Sequence, residues 1–245
     1  MKNIVYLVLV ILLMTSCKTQ NLLVSHNKTG NQEVDSVFRY DPSYQYRIRI
    51  DDKIAISVWG QDELSVGSLY GIYNSNEVYG KWLLVDPQGN IEIPKLGTTH
   101  VLGMTIIELK KFLKNSFSES LINPVVDAKV LNKRISILGE VRNPNSFVVD
   151  EDHNSLLELS TKAGGFEFYA NLKKVKVLRQ EGPDVRVTTV DLTKGGDYLN
   201  KNILLHPGDL VIVPSKKYKE FDKRISVIIP FTTTISAAAI LFSLF

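Results

Sequence analysis

The sequence contains almost no cysteine: one, Cys17, occurs in 245 residues. This scarcity excludes a disulfide framework and a cysteine-based metal cluster. Histidine is also scarce, and its four copies are too far apart for a His-x-x-x-His ligand pair. The net charge of +3 is small and scattered, which argues against a nucleic-acid partner. We therefore predict a protein with no cofactor, no metal site and no nucleic-acid interface.

The motifs of common enzymes are missing as well. No Gly-x-Ser-x-Gly elbow occurs. Gly97–Gly103 is a weak match to a phosphate-binding loop, because it has one residue too many between the glycines and Met104 where lysine is required. Asp52, Asp62 and Glu63 could form a carboxylate pair, but turn carboxylates are far commoner than catalytic ones. We predict no enzymatic activity and no catalytic residue.

The amino terminus has the pattern of a lipoprotein signal. Lys2 precedes the apolar run Ile4–Met14, and two small residues then lead to Cys17. Eleven apolar residues are too few to cross a membrane, so residues 1–16 are interpreted as a signal peptide. The order resembles a bacterial lipobox, which implies acylation of Cys17, and Lys18 then implies transfer to the outer membrane. A spare thiol after a transmembrane anchor is the alternative.

The carboxyl terminus is long and uncharged. Ile225–Phe245 contains twenty-one residues, and as a helix it would span about 31 Å, one hydrocarbon core. Pro230 would kink that helix or begin it. The sequence therefore predicts a C-terminal membrane helix. Five basic residues just before it are predicted to hold that end at the interface with water: Lys216, Lys217, Lys219, Lys223 and Arg224.

Small residues form one stripe on this predicted helix. Thr232, Ser236, Ala239 and Ser243 recur at helical spacing, and the other sides carry Ile, Phe and Leu. Such a stripe suits contact with other helices or with water. Two alternatives stay open: the hydroxyls bond carbonyls of their own helix and face lipid, or the helix is buried in a protein core.

Two small α+β units are predicted between the two ends. In the first, Lys53–Trp59 alternates as a half-buried strand. Lys81–Pro94 is predicted to form a hairpin around a Pro- and Gly-containing turn. Thr105-x-x-Glu108 is a capping box that opens a helix. Gln61–Gly80 has no firm pattern and is interpreted as a long loop.

The second unit repeats this scheme. Ser155-x-x-Glu158 is a second capping box, and Gly164-Gly165 is predicted to end its helix. The predicted strands are Ile135–Leu138, Ser146–Val149, Lys174–Arg179, Val185–Leu192 and Leu210–Val213.

Several segments of the first unit resemble a known family. Tyr46–Trp59 looks like the start of the polysaccharide biosynthesis/export domain, and Val85–Gly97 looks like its strand–turn–strand segment. Leu102–Thr105 and Asn123-Pro124 continue that pattern in order. Asp51 departs from it, because a glycine often stands there.

The second unit is similar to the soluble-ligand-binding β-grasp (SLBB) domain that follows the export domain in this family. The similarity lies in Ile137–Val141, Pro144, Ala163–Gly165 and Leu205–Pro214, with Asn145 where a glycine is usual. The order of these motifs resembles a Wza-type outer-membrane polysaccharide export lipoprotein.

The expected fold class is α+β, with two small mixed α/β units followed by a C-terminal transmembrane helix. The predicted divisions are a signal peptide at 1–16, a lipidated tether at 17–43, a polysaccharide export domain at 44–132, an SLBB domain at 133–215, a basic linker at 216–224 and a membrane helix at 225–245.

The resemblance implies an oligomeric pore, usually of eight subunits, that exports capsular or exopolysaccharide. It places lipid-anchored subunits at the outer membrane, with their globular domains in the periplasm and with an inner-membrane polysaccharide co-polymerase as partner. The C-terminal helices would form the pore, and the stripe that contains Ser236 would line its lumen or its helix seams. The alternative is a membrane-anchored, glycan-binding periplasmic accessory without a pore of its own.

Overall fold

The computed structural model describes residues 22, 36–38, 41–61, 64–65, 82–193 and 203–226. This part of the chain is a mixed α/β protein with two separate hydrophobic cores. The first core gathers side chains between residues 46 and 130, and the second gathers residues 135–213 together with Phe38.

The first unit is centred on β1 (Lys53–Val58). This strand lies between β2 (Leu83–Leu84) and β5 (Val126–Val130), and both pairings are antiparallel. The predicted strand is confirmed, since Ile54, Ile56 and Val58 are buried on one face of it. They face the apolar stripe of the following helix.

That helix is α1 (Ile106–Phe117), which packs against β5 and buries Leu109, Leu113 and Phe117. The predicted capping box is confirmed at its first turn. The Glu108 backbone N–H donates to the Thr105 hydroxyl (3.2 Å), and the Thr105 N–H donates to the Glu108 carboxylate (2.8 Å). Two N–H groups that the helix leaves open are thereby satisfied.

The predicted hairpin within Lys81–Pro94 is wrong in its pairing. β2 pairs with β1, whereas β3 (Asn90–Ile93) pairs with β4 (Gly97–His100). The turn itself forms, because the Asp86 carboxylate accepts from the backbone N–H groups of Gln88 (2.9 Å) and Asn90 (2.7 Å). Pairing partners depend on the chain beyond the turn, which local spacing does not show.

The second unit is a five-stranded sheet. Its strands are β6 (Arg134–Gly139), β7 (Asn145–Val148), β9 (Val175–Glu181), β10 (Asp184–Val190) and β12 (Leu210–Val213). They lie in the order β10-β9-β12-β6-β7, in which only the β12–β6 pair is parallel.

Shorter elements cover this sheet. β8 (Asn154–Ser155) pairs with β11 (Leu204–Leu205) and leads into α2 (Leu156–Lys162). The Ser155 hydroxyl accepts from the Glu158 N–H at 3.1 Å, as the second capping motif predicted. Gly164 and Gly165 follow with φ of +76° and +89°, which suits the end of a helix.

Gly139 ends β6 where no side chain fits. Its φ is +97°, and a β-carbon there would lie 2.1 Å from the Val213 carbonyl oxygen. The parallel pair β6–β12 approaches this closely only because residue 139 has no side chain.

A short segment before the first unit belongs to the core of the second. Residues Ser36–Phe38 form one turn of 3₁₀-helix, and the Phe38 side chain is fully buried among the second unit's core residues. The chain therefore contacts the second unit first, forms the first unit, and then returns. This segment lies within the range predicted as a tether, 17–43.

The predicted fold class is corrected at the carboxyl end. Within the described ranges, no helix combines the length and the apolar character needed to cross a bilayer, so a C-terminal transmembrane helix is not supported. Helical residues 219–226 carry five charged side chains among eight, and charges are costly to place in hydrocarbon. Residues 227–245 of the predicted helix lie outside the described residues. The fold class is mixed α/β.

Candidate functional site at the junction of the two units

The irregular segment that leads into β1, residues 41–52, crosses the junction between the two units. Tyr44 stacks on His206, with ring centroids 3.5 Å apart and ring planes within 8° of parallel. Burial raises the pKa of Tyr44 to about 12. Burial also lowers the pKa of His206 to about 3, and the nearby guanidinium groups of Arg179 and Arg49 add to that shift. The stack is therefore uncharged at neutral pH.

Two residues further on, Tyr46 carries a second contact across the junction. Its backbone N–H donates to Asp152 (3.3 Å), and Lys133 pairs with the same carboxylate at 2.8 Å. The Tyr46 hydroxyl donates to the Asp52 carboxylate at 2.9 Å, and the Arg49 backbone N–H donates to the same carboxylate at 2.7 Å. Burial raises the pKa of Asp52, although these hydrogen bonds oppose the shift. Of these contacts, the Tyr46–Asp152 hydrogen bond joins the first unit to the second, and the others hold its two partners in place.

A buried ion pair lies in the second unit, next to this junction. Arg179 of β9 binds Asp209 in bidentate fashion, at 2.9 and 2.7 Å, and the two side chains are 7% and 1% exposed. Arg179 also donates to the Leu204 carbonyl (2.8 Å) and to the Val37 carbonyl, and its guanidinium lies 4.9 Å from the Phe38 ring centroid. One side chain thus joins β9, β11, the turn before β12 and the segment at 36–38.

An open polar groove of about 520 Å³ lies beside the junction, on the first unit. Tyr44, Gln45, Arg47, Arg49 and Glu108 are among its lining residues. Arg47 donates to the Gly103 carbonyl (2.8 Å) and lies 3.8 Å from Glu108, with both side chains more than half exposed. Guanidinium, amide and carboxylate groups on an open surface suit hydroxyl-rich ligands such as sugars.

The five predicted interface cations differ in their surroundings. Lys219 pairs with Glu140, and Lys216 donates to the Phe168 carbonyl at 2.9 Å. Lys217, Lys223 and Arg224 are exposed. Two of the five are therefore held by the second unit itself.

The other predicted site residues lie outside the part of the chain that the structure describes. They are Cys17, Thr232, Ser236, Ala239 and Ser243. Among the described residues, no group of three or more His, Cys, Asp or Glu side chains is arranged to hold a metal ion.

The sequence did not reveal the junction. Leu205–Pro214 resembles part of the SLBB domain, but no sequence pattern marks Arg179 as the partner of Asp209, thirty residues away. A buried arginine is unusual, but burial becomes visible only once the sheet is formed. Tyr44 and Gln45 likewise carry no local signal.

Two family matches cover most of the described chain. Residues 41–131 match the family described as "Polysaccharide biosynthesis/export protein", and residues 133–213 match the SLBB domain. The boundary between the matches falls between β5 and β6.

Two curated relatives are similar to this chain. The "EPS I polysaccharide export outer membrane protein EpsA" of Ralstonia solanacearum is 28% identical over 186 residues, which are 70% of this chain and 48% of the relative. The protein of the same name from Ralstonia nicotianae is 28% identical over 185 residues, with the same shares. The chain thus spans about half the length of the curated relatives it matches.

Proposed function

The chain belongs to the Wza-type polysaccharide biosynthesis/export family, and from this premise we propose that it is a lipid-anchored subunit of an oligomeric pore. The pore exports capsular or exopolysaccharide from the periplasm to the cell surface. The family's role is transport of polysaccharide, and its named relatives are outer-membrane export proteins.

One observation carries this proposal: an export domain and an SLBB domain follow each other directly, over residues 41–213. The junction supports it, because the Tyr46–Asp152 hydrogen bond and the Tyr44–His206 stack join the two domains into a firm building block. Subunits of a ring need such firmness, since small errors in each angle accumulate around the closed circle.

The remaining elements of the proposal are those that the family resemblance implies. Cys17 carries the lipid, the two domains lie in the periplasm, and the subunits form a ring, most simply of eight. An inner-membrane polysaccharide co-polymerase delivers the polymer. The groove beside Arg47 supports a role for this chain in contacting the polymer.

The groove also favours the second candidate, a glycan-binding accessory lipoprotein without a pore. Oligomeric state separates the two functions. The full chain, extracted in mild detergent, should appear as rings with a central opening in electron micrographs, and native mass spectrometry should give one fixed subunit number. Monomers under these conditions would overturn the pore and leave the accessory.

Export is tested in the producing cell. Deletion of the gene should abolish surface polysaccharide in an immunofluorescence assay, and the intact chain should restore it. Cys17→Ser should restore it poorly, because the subunit loses its lipid. Normal surface polysaccharide after deletion would overturn the export function.

The groove has its own matched pair of variants. Arg47→Gln should lower export without changing the thermal midpoint, because the exposed Arg47–Glu108 pair adds little to stability. Lys114→Gln removes one exposed charge from the far end of α1 and should leave export unchanged. Equal export by both variants would contradict a role for the groove.

A further inference from the structure

Aromatic and basic side chains cover one surface of the second unit where the described chain ends. The aliphatic and aromatic members are well exposed: Phe168 is 67%, Phe221 63%, Tyr218 39% and Ile225 37% exposed. Three exposed cations are close to them along the chain, in or just before the helical residues 219–226. We call Phe168, Tyr218, Phe221 and Ile225, with Lys217, Lys223 and Arg224, the aromatic–basic patch.

This patch is held firmly on the second unit. The Lys216 ammonium donates to the Phe168 carbonyl at 2.9 Å and lies 5.3 and 5.8 Å from the ring centroids of Phe168 and Tyr218. The Tyr218 ring also meets the Tyr169 ring edge-on, at 6.1 Å between centroids. The Phe168 and Tyr218 rings are therefore held in place against the second unit.

The helical residues 219–226 have two distinct sides. Tyr218, Phe221 and Ile225 follow the spacing i, i+3, i+7 and share one side. The neighbouring side contacts the second unit, because Lys219 pairs with Glu140 and the Asp222 side chain is hydrogen-bonded to Tyr169. Tyr218 at one edge of the apolar side contacts the second unit, whereas Phe221 is left 63% exposed.

The charges on this surface favour an anionic partner. Lys217, Lys223 and Arg224 are exposed, against two exposed carboxylates, Glu220 and the Glu167 that precedes Phe168. Aromatic rings among lysines and arginines are the composition found at the headgroup level of bilayers, where the rings enter the interface and the cations meet phosphate. The core of a protein–protein interface would instead be depleted of lysine.

We propose that the aromatic–basic patch seats the second unit on an anionic phospholipid surface. The inference rests on the outer-membrane placement in the proposed function. It concerns only contact with the membrane surface, so it can be tested separately from export.

The test uses spin labels on the full chain in the Cys17→Ser background, which removes both the native thiol and the lipid. Single labels are placed at Phe168→Cys and Phe221→Cys. The matched controls are Glu220→Cys, on the adjoining side of the same helix, and Val185→Cys, an exposed apolar position (53%) on β10 of the same unit. Proteoliposomes contain phosphatidylcholine with or without phosphatidylglycerol.

Labels at 168 and 221 should relax faster with oxygen than with a water-soluble nickel chelate in vesicles that contain phosphatidylglycerol. Labels at 220 and 185 should favour the chelate. Replacing Lys217, Lys223 and Arg224 with Gln should reduce the difference at 168, because fewer cations reach the lipid phosphates.

Two results would overturn the proposal. The first is equal chelate access at all four positions. The second is dipolar broadening between labels at 168 or 221 in detergent, which would show that a second copy covers the patch. If the labels at 168 and 221 report lipid but deletion of the gene leaves surface polysaccharide normal, the patch stands and the export function is overturned.

Discussion

Arg179→Ala tests whether the buried ion pair joins the segment before the first unit to the second unit. The substitution leaves Asp209 charged at 1% side-chain exposure and removes the donor to the Val37 and Leu204 carbonyls. Removing one partner of a buried ion pair typically costs about 3–5 kcal/mol. The main-chain carbonyls add to this cost to the extent that water cannot reach them.

A loss of that size should be plain in a thermal melt of the full chain in detergent. For a protein of this length, each kcal/mol lowers the midpoint by about 2–4 °C, so we expect a fall of about 6–20 °C. The matched control is Arg186→Ala, on the neighbouring strand. Arg186 lies 3.9 Å from Glu181 with both side chains about half exposed, and such pairs contribute about 0–1 kcal/mol.

A second variant separates a lost charge pair from lost packing. Arg179→Met with Asp209→Leu replaces the pair with apolar side chains, which often restores most of the stability. It cannot restore the bond to Val37, so Ser36–Phe38 should become more accessible to protease than in the parent chain. Equal midpoints for Arg179→Ala and Arg186→Ala would refute the reasoning.

Three further predictions concern stability. Gly139→Ala should cost about 3 kcal/mol, because its β-carbon meets the Val213 carbonyl. Gly182→Ala, also at positive φ but in open space, should cost less in a urea titration, and equal losses would contradict the close-contact argument. Asp51 has a φ of +66°, so Asp51→Gly should raise the unfolding free energy by up to about 1 kcal/mol and Asp51→Ala should lower it; a destabilised glycine variant would count against this. The pKa of His206 falls from 6.5 to about 3 on folding, so neutral His206 adds stability above pH 6.5 that is lost as pH falls toward 3. His206→Phe should flatten this loss in melts from pH 7 to 4, and an unchanged pH profile would show that other groups cause it.

Local patterns predicted elements well where the physics is local. The Thr105–Glu108 capping box depends on three residues of spacing, and the alternation in Lys53–Trp59 depends only on which face is buried. Strand partners were harder, because β3 could pair with either neighbour and the choice is made by residues 97–100.

The prediction for the carboxyl end was wrong for a different reason. An uncharged run predicted a transmembrane helix, and hydropathy alone treats such a run as independent of its surroundings. Residues 219–226 form a charged helical segment that is held against the second unit through Lys219 and Glu140, and no helix among the described residues could cross a bilayer. The sequence did not predict the candidate site either, because Tyr44, Arg179 and His206 come together from three distant stretches of the chain.

The order of motifs along the chain was enough to assign the family, because turns, helix caps and apolar alternation depend on residues that are close in sequence. Tertiary structure alone brought Phe38 into the core of the second unit, joined Arg179 to Asp209 and stacked Tyr44 on His206. The physical reason is distance along the chain. Contacts between remote residues depend on how whole sheets pack, and no local pattern records that.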